Sequence, residues 1–336
     1  MNLLLRLPPL QPARTEMSWR AELRAWWTTS RPEFAVGPTF SQGGVAALLA
    51  LHQRPADLAF AWLLAAGLGI CWMSISVGAS LNCLADYETD RLDSADKARL
   101  ARAVDVLGSI RLWRIILTEI GILTLAIVAL ALLLKRPLLF GFWLTGLVLA
   151  FMYSFEPYRI KGRGLLNPAV AAFNCTILPM LFVYHLLSPR LAGPATVVIL
   201  LFGAQVWGLM LANQVSDYEE DKYTGTLTAC VRYGRYRTVR LVIVAYACAT
   251  AGMVGAVWCF WPTPATGALV LRLLALALYL WVLLDLVRLG RLARAIERGG
   301  PVGASTTSSI ALKRRVAVAK WCIMIGLGAW ALLSVP

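Results

Sequence analysis

Charge and histidine are scarce in this chain of 336 residues, and each scarcity excludes a class of protein. Only 15% of the residues are charged while 59% are hydrophobic, where soluble domains carry about 25% charged residues. A water-soluble globular fold does not fit that balance. Two histidines, His52 and His185, are too few for a His-based metal centre. The seven cysteines include no CxxC pair and mostly sit in apolar runs, so they read as small core residues and not as a zinc cage or disulfide framework. The opening MNLLLRLPPLQPAR has too short an apolar run, and too many prolines, for a secretory signal. No soluble basic domain accompanies the net charge of +14, which argues against nucleic-acid binding.

What is present is a series of apolar segments of about 20 residues, the length that crosses a bilayer core. They are predicted near residues 33–52, 58–81, 112–134, 138–154, 165–187, 194–215, 239–261, 265–287 and 316–335. Turn signals separate them at Lys135-Arg136-Pro137, Ser188-Pro189-Arg190 and Trp261-Pro262-Thr263-Pro264. The expected fold is therefore an all-α polytopic membrane protein of nine transmembrane helices, residues 32–336, behind an N-terminal tail of residues 1–31. In that tail Trp19, Leu23, Trp26 and Trp27 are expected on one face of an interfacial helix, with Arg20 and Arg24 beside them, the alternative being a frayed basic tail.

The charges orient the helices. With the N-terminus in the cytoplasm, the opposite side keeps only Arg54, Lys135, Arg136, Arg190 and Arg272 out of 32 Lys and Arg, and Lys320 falls inside the last span. The positive-inside rule favours this arrangement, with the C-terminus on the far side and some attraction to anionic lipid. His185 then lies in a loop on the far side, as an interfacial residue.

Against this background one acidic phrase occurs twice. Residues 82–91 read NCLADYETDR and residues 213–222 read NQVSDYEEDK. Helical residues four apart differ by about 40° in azimuth, so Asn82, Asp86 and Asp90 are expected to form one stripe, and Asn213, Asp217 and Asp221 another. Both phrases close a predicted span on the cytoplasmic side. An aspartate costs about 2.5–3.5 kcal/mol at the centre of a span, less near its end, and helix C-termini add partial negative charge. A cation is needed to offset this. All-oxygen donors suit a hard divalent ion, and Mg²⁺ in particular combines a few carboxylates with substrate phosphate oxygens. The inference is a Mg²⁺-bridged diphosphate; two ordinary solvated helix ends would not be expected to match at six positions.

A third element, YSFEPYRIKGRG at 153–164, carries Tyr153, Arg159, Lys161 and Arg163 in the loop after the fourth span. Its cations are placed to hold phosphate oxygens and to stabilise charge on a leaving group, although simple positive-inside anchors would look the same. Arg91, Lys222 and Glu88, attached to the acidic phrases, are secondary candidates. Arg232, Arg235, Arg237, Arg240, Lys313, Arg314 and Arg315 read as anchors. The polar residues Thr39, Ser41, Gln42, Asn167 and Asn174 within the spans are expected to make interhelical hydrogen bonds.

Taken together, the paired acidic helix ends and the Tyr-Ser…Pro…Arg-x-Lys loop resemble the UbiA superfamily of intramembrane prenyltransferases, over nearly the whole chain. The resemblance implies a helical bundle around a central cavity. It further implies that Asn82, Asp86, Asp90, Asp217 and Asp221, with Asn213 by analogy, bind Mg²⁺ and an isoprenyl diphosphate. Tyr153, Arg159 and Lys161 match the family's tyrosine and basic residues. Cys83 departs from the aspartate that often follows the first asparagine, and Lys97-Ala98 replaces a common Lys-Pro; neither removes a core ligand. The expected reaction is transfer of the isoprenyl group, through an allylic cation in a water-poor cavity, to a small, electron-rich acceptor of aromatic type. The alternative within the same chemistry is a terpene cyclase that quenches the cation with the substrate's own double bonds. A transporter would place its acids at the membrane midplane on broken helices, whereas here they sit at helix ends.

Overall fold

The computed structural model describes residues 18–91, 95–260 and 266–299, and in them the chain is helical almost throughout. The helices are α1 (Trp19–Thr29), α2 (Pro32–Ala50), α3 (Leu58–Ala85), α4 (Tyr87–Asp90), α5 (Ala95–Leu107), α6 (Ser109–Leu133), α7 (Leu138–Ser154), α8 (Leu166–Ala172), α9 (Leu178–Leu187), α10 (Gly193–Ser216), α11 (Tyr218–Tyr223), α12 (Ala229–Tyr233), α13 (Arg235–Phe260) and α14 (Thr266–Glu297). Among the described residues, six segments are long and apolar enough to cross a membrane: α3, α6, α8–α9, α10, α13 and α14, while α7 is apolar but shorter. Helix α2 occupies the first predicted span with Pro38 inside it. The ninth predicted span, 316–335, and residues 1–17 lie outside the described residues.

The chain divides into two units, one of residues 1–40 and 65–160, the other of residues 41–64 and 161–336. In the first, α6 buries Leu112, Ile116, Leu123 and Ile127 along one stripe and leaves Leu117, Ile122, Leu125 and Leu132 exposed. A helix apolar on both faces is suited to lipid on its outer side. Helix α5 is amphipathic, with Leu100, Val104 and Leu107 inward and Arg102 and Asp105 outward, and it packs against α1. Trp19, Leu23 and Trp27 of α1 are exposed as expected. Trp26 is not on that face, because its indole N–H donates to Glu119 of α6 at 2.8 Å. An ion pair of Arg111 with Glu22 and a bond from the Cys83 thiol to the Thr29 carbonyl, at 3.7 Å, also anchor α1. The helix is thus part of the first unit's packing and not a loose tail. Gly108 alone separates α5 from α6, with φ +73°, a conformation that a side chain would strain.

In the second unit, α8–α9 and α10 are the inner segments, each with 61% of its apolar window buried, against 22% for α13 and 28% for α14. Residues 173–177 form a π-helical turn, where the Leu178 amide donates to Phe173 O. Pro179 explains it: proline has no N–H and its ring crowds the carbonyl four residues back, so the helix widens by one residue. Gln42 Nε2 donates to Thr176 Oγ1 at 3.2 Å in this turn, as expected of an interhelical bond. His185 lies within α9, only 5% exposed, and not in an interfacial loop. Apolar helix continues to Leu187, so the predicted loop begins later than the histidine.

Candidate active site: two bent acidic helix ends

Each acidic phrase adopts the same local structure. Helix α3 ends at Ala85 and α4 begins at Tyr87, with Asp86 between them at φ −98° and ψ +3°. Helix α10 ends at Ser216 and α11 begins at Tyr218, with Asp217 between them at φ −92° and ψ +7°. Both aspartates therefore occupy the bridge region, frequented by active-site residues. The i→i+4 bonds nevertheless run through both bends. Asp86 N–H donates to Asn82 O at 2.9 Å and Asp90 N–H to Asp86 O at 2.8 Å; Asp217 N–H donates to Asn213 O at 3.2 Å and Asp221 N–H to Asp217 O at 2.8 Å. The expected stripe on one continuous helix is corrected to a stripe bent at its middle carboxylate. The bend is made without giving up backbone bonds, which buried groups cannot forgo cheaply.

In the first unit Asp86 is 2% and Asp90 7% exposed. Arg159 Nη2 lies 3.7 Å from Asp86 Oδ1 and its Nη1 3.9 Å from Glu156. The Arg159 amide donates to Phe155 O at 2.8 Å, and its φ is +30°, a strained value for a residue with a side chain. So the loop cation singled out beside Tyr153 does reach an acidic phrase. Tyr153 itself is half-buried in the last turn of α7, in a stretch where Trp113 stacks on Phe151 and Phe155 at 6.3 and 5.9 Å. The Cys83 thiol donates to the Thr29 carbonyl, and Cys83 is not one of the residues of the i, i+4 stripe. Glu88 is exposed.

In the second unit Asp217 and Asp221 are half-buried. The Thr226 amide donates to Asp221 O at 2.8 Å, closing the loop after α11. That loop pairs with the segment containing Lys161: Gly164 N–H donates to Leu227 O at 2.9 Å and Gly164 bridges Thr228 in parallel register. Lys161 lies in a short 3₁₀ turn, where its carbonyl accepts from Asn167 Nδ2 at 2.6 Å. That bond is local, spanning six residues of the chain.

Several residues here escaped the sequence reading. Gln214, buried beside Asn213, accepts the Ala229 amide at 3.1 Å. The Tyr87 hydroxyl donates to Asp105 of α5. Burial first, and the Asp105 carboxylate second, push the Tyr87 phenol above its usual range. Arg235, expected to be a surface anchor, is only 11% exposed and pairs with Glu219 at 2.5 Å, its guanidinium 4.1 Å from the Tyr218 ring centroid. Arg91 and Lys222 lie over the tyrosine of their own phrase, at 5.4 and 6.0 Å. The one available signal was the shared tyrosine after the middle aspartate.

Among the described residues, no three His, Cys, Asp or Glu side chains form a ready-made metal cage. The donor set still fits Mg²⁺, which usually takes one or two carboxylates and completes its shell with water and substrate phosphate.

Membrane-length apolar helices and a twice-used acidic helix end define an integral multi-pass membrane protein with two oxygen-rich helix ends. Residues 39–297 match the UbiA prenyltransferase family, and the chain belongs to that family. It is 27% identical over 195 residues to the bacteriochlorophyll synthase 34 kDa chain of Chloroflexus aurantiacus, covering 58% of this chain and 60% of that protein. The fold is similar to digeranylgeranylglyceryl phosphate synthase, with TM-score 0.63 and 11% identity over 94% of this chain and 99% of that one. It is also similar to a UbiA homologue from Archaeoglobus fulgidus bound to GPP and Mg²⁺, with TM-score 0.62 and 15% identity over 89% of this chain and 99% of that one. At those identities the structural matches establish the fold alone.

Proposed function

We propose that this protein transfers an isoprenyl group from an allylic diphosphate to a small, electron-rich aromatic acceptor inside the membrane, with Mg²⁺ as cofactor. The observation that carries the proposal is the bent acidic helix end occurring twice with the same backbone angles, in a chain of the UbiA prenyltransferase family. The bacteriochlorophyll synthase relative and the Archaeoglobus homologue with its bound GPP and Mg²⁺ support the substrate class.

In this reading Asn82, Asp86, Asp90, Asn213, Asp217 and Asp221 hold the metal–diphosphate head group. Bound Mg²⁺ would supply positive charge to the departing diphosphate. Arg159 and Lys161 add donors for its non-bridging oxygens, and Tyr153 hydrogen-bonds the same group. Since Arg159 already lies beside Asp86, a bound diphosphate would exchange that carboxylate contact for a phosphate one. The isoprenyl tail packs among apolar helices, contributing about 0.8 kcal/mol per buried methylene. Exclusion of water there protects the allylic cation until the acceptor attacks and a proton is lost. The reading includes nine transmembrane helices in residues 32–336, with residues 1–31 and both acidic phrases on the cytoplasmic side.

The test is diphosphate release by purified protein with Mg²⁺ and geranyl, farnesyl or geranylgeranyl diphosphate, with and without phenolic acceptors. Asp86→Asn and Asp217→Asn should each slow release by about 100-fold or more, as charge stabilisation worth several kcal/mol is withdrawn. A cyclised product formed without acceptor would replace the transferase by a cyclase. Release unaffected by either substitution and by EDTA would sink the proposal.

A further inference from the structure

Both acidic phrases place a tyrosine directly after the bent aspartate, and both tyrosines are tied to a charged residue on a later helix of the same unit. In the first, the Tyr87 hydroxyl donates to the Asp105 carboxylate, on the exposed side of amphipathic α5. In the second, the Arg235 guanidinium, on the first residue of α13, lies 4.1 Å from the Tyr218 ring centroid and bonds Glu219 at 2.5 Å. The tethers use opposite charges and different tyrosine atoms, yet hold the same position of the repeated phrase.

The mechanical need for them is plain. Helices α4 and α11 are four and six residues long, far below the length at which a helix is stable in isolation. Each follows a bridge-region aspartate, so its direction is set by one residue's backbone angles. Each carries the last carboxylate of its stripe, Asp90 or Asp221. The backbone bonds through the bend hold the short helix at one end only, so fraying of its other end would carry that carboxylate with it.

We propose that Asp105 and Arg235 are positioning residues: each holds the tyrosine that follows the bent aspartate and so orients Asp90 or Asp221 for Mg²⁺. The proposal rests on the prenyltransferase reading above for its metal, but the tethers are testable without it. Tyr87 is buried at 4% exposure, and its hydroxyl reaches the part-buried edge where α4 meets α5. Arg91 lies over the Tyr87 ring at 5.4 Å and adds a cation–π contact. Lys222 does the same for Tyr218 at 6.0 Å. Thr89 Oγ1 donating to Asp86 O at 2.8 Å reinforces the bend from within.

The experiment uses full-length protein and two readouts. Diphosphate release is titrated with Mg²⁺ for wild type, Tyr87→Phe, Asp105→Ala, Asp105→Asn, the Tyr87→Phe/Asp105→Ala double variant and Arg235→Ala. Amide hydrogen exchange over residues 87–91 and 218–223 is followed in the same proteins without substrate. Tyr87→Phe, Asp105→Ala and Arg235→Ala should raise the half-saturating Mg²⁺ concentration about tenfold, the size expected for one hydrogen bond to a charged group. The maximal rate at saturating Mg²⁺ should fall much less. The double variant should be no worse than either single one, because both remove one bond. Asp105→Asn keeps an acceptor oxygen and should restore most of the loss. Exchange in the corresponding short helix should quicken by about tenfold as it opens more often.

Additive effects in the double variant, or an equal fall in maximal rate with unchanged Mg²⁺ dependence, would overturn the proposal. So would faster exchange without any shift in Mg²⁺ dependence, which would make the tethers scaffold only. Wild-type protein with no Mg²⁺-dependent release would overturn the functional reading instead, and unchanged exchange in the variants would then separately overturn the tethers.

Discussion

Replacing Gly203 with alanine tests the packing that supports the second acidic helix end. A Cβ built on Gly203 of α10 would lie 2.3 Å from Ile177 Cγ1 and 2.4 Å from its Cδ1. Carbon atoms pack comfortably at about 3.5–4.0 Å, so one side must move by more than an ångström. Ile177 is β-branched and stiff at χ1, and it ends the π-helical turn held in the inner part of the second unit. Overpacking of this kind costs about 1–3 kcal/mol. Alanine recovers about 0.8–1.0 kcal/mol over glycine in helix propensity, leaving a net loss of up to about 2 kcal/mol. The assay is thermal unfolding of purified protein in one detergent, where that loss lowers the midpoint by several degrees, at about 2–4 °C per kcal/mol. Gly208→Ala is the control, since its Cβ would meet Val242 O at 3.7 Å and Tyr246 Cβ at 3.8 Å, both ordinary contacts. Ile177→Val removes the Cδ1 methyl and should relieve part of the Gly203→Ala penalty, so the pair costs less than the sum. Gly203→Ala matching Gly208→Ala in stability would refute the reasoning.

Two further outcomes follow from groups outside the membrane-spanning segments. Burial pushes the Cys230 thiol up to about 12, so it stays protonated at pH 8 and should resist maleimide until the protein is denatured; mass spectrometry showing rapid modification of the native protein would contradict this. Asp57 Oδ1 accepts the Phe60 amide at 2.6 Å and Arg54 at 3.1 Å, and these bonds hold its carboxyl below its usual range. Its contribution is present above the pKa of an unfolded aspartate and is lost as pH falls through the depressed folded value. Asp57→Asn, which caps without titrating, should therefore flatten the acid side of the thermal stability profile; an unchanged profile would remove Asp57 from that role.

Much of the helix layout was legible before folding was considered. Apolar runs placed α3, α6, α7, α8–α9, α10, α13 and α14 close to where they lie, because a membrane-length apolar run needs no partner to declare itself. Ends were less legible. The second span was predicted to stop at residue 81, yet α3 continues to Ala85, since polar Asn82 can still take part in the helical ladder. Helix α14 likewise runs to Glu297, past the expected 287, through Arg288, Arg291 and Arg294. There the Glu297 carboxylate accepts the Tyr236 amide at 3.0 Å, capping the first turn of α13.

The acidic stripes were legible for a related reason. Asn82, Asp86 and Asp90, like Asn213, Asp217 and Asp221, are four apart, and that interval is a property of one helix whatever surrounds it. The bend at each middle aspartate was not legible, because nothing in the residue types distinguishes a continuous helix end from one that passes through φ near −95°. Nor were the partners of the phrases. Asp105 looks like any exposed helix acid, and Arg235 like any membrane-edge arginine, until folding brings one to Tyr87 and the other to Tyr218 and Glu219. Spacing along a chain encodes which residues share a helix face. Which distant side chain completes a hydrogen bond depends on helix packing, and packing draws on apolar surfaces whose pairing many sequences could satisfy in more than one way.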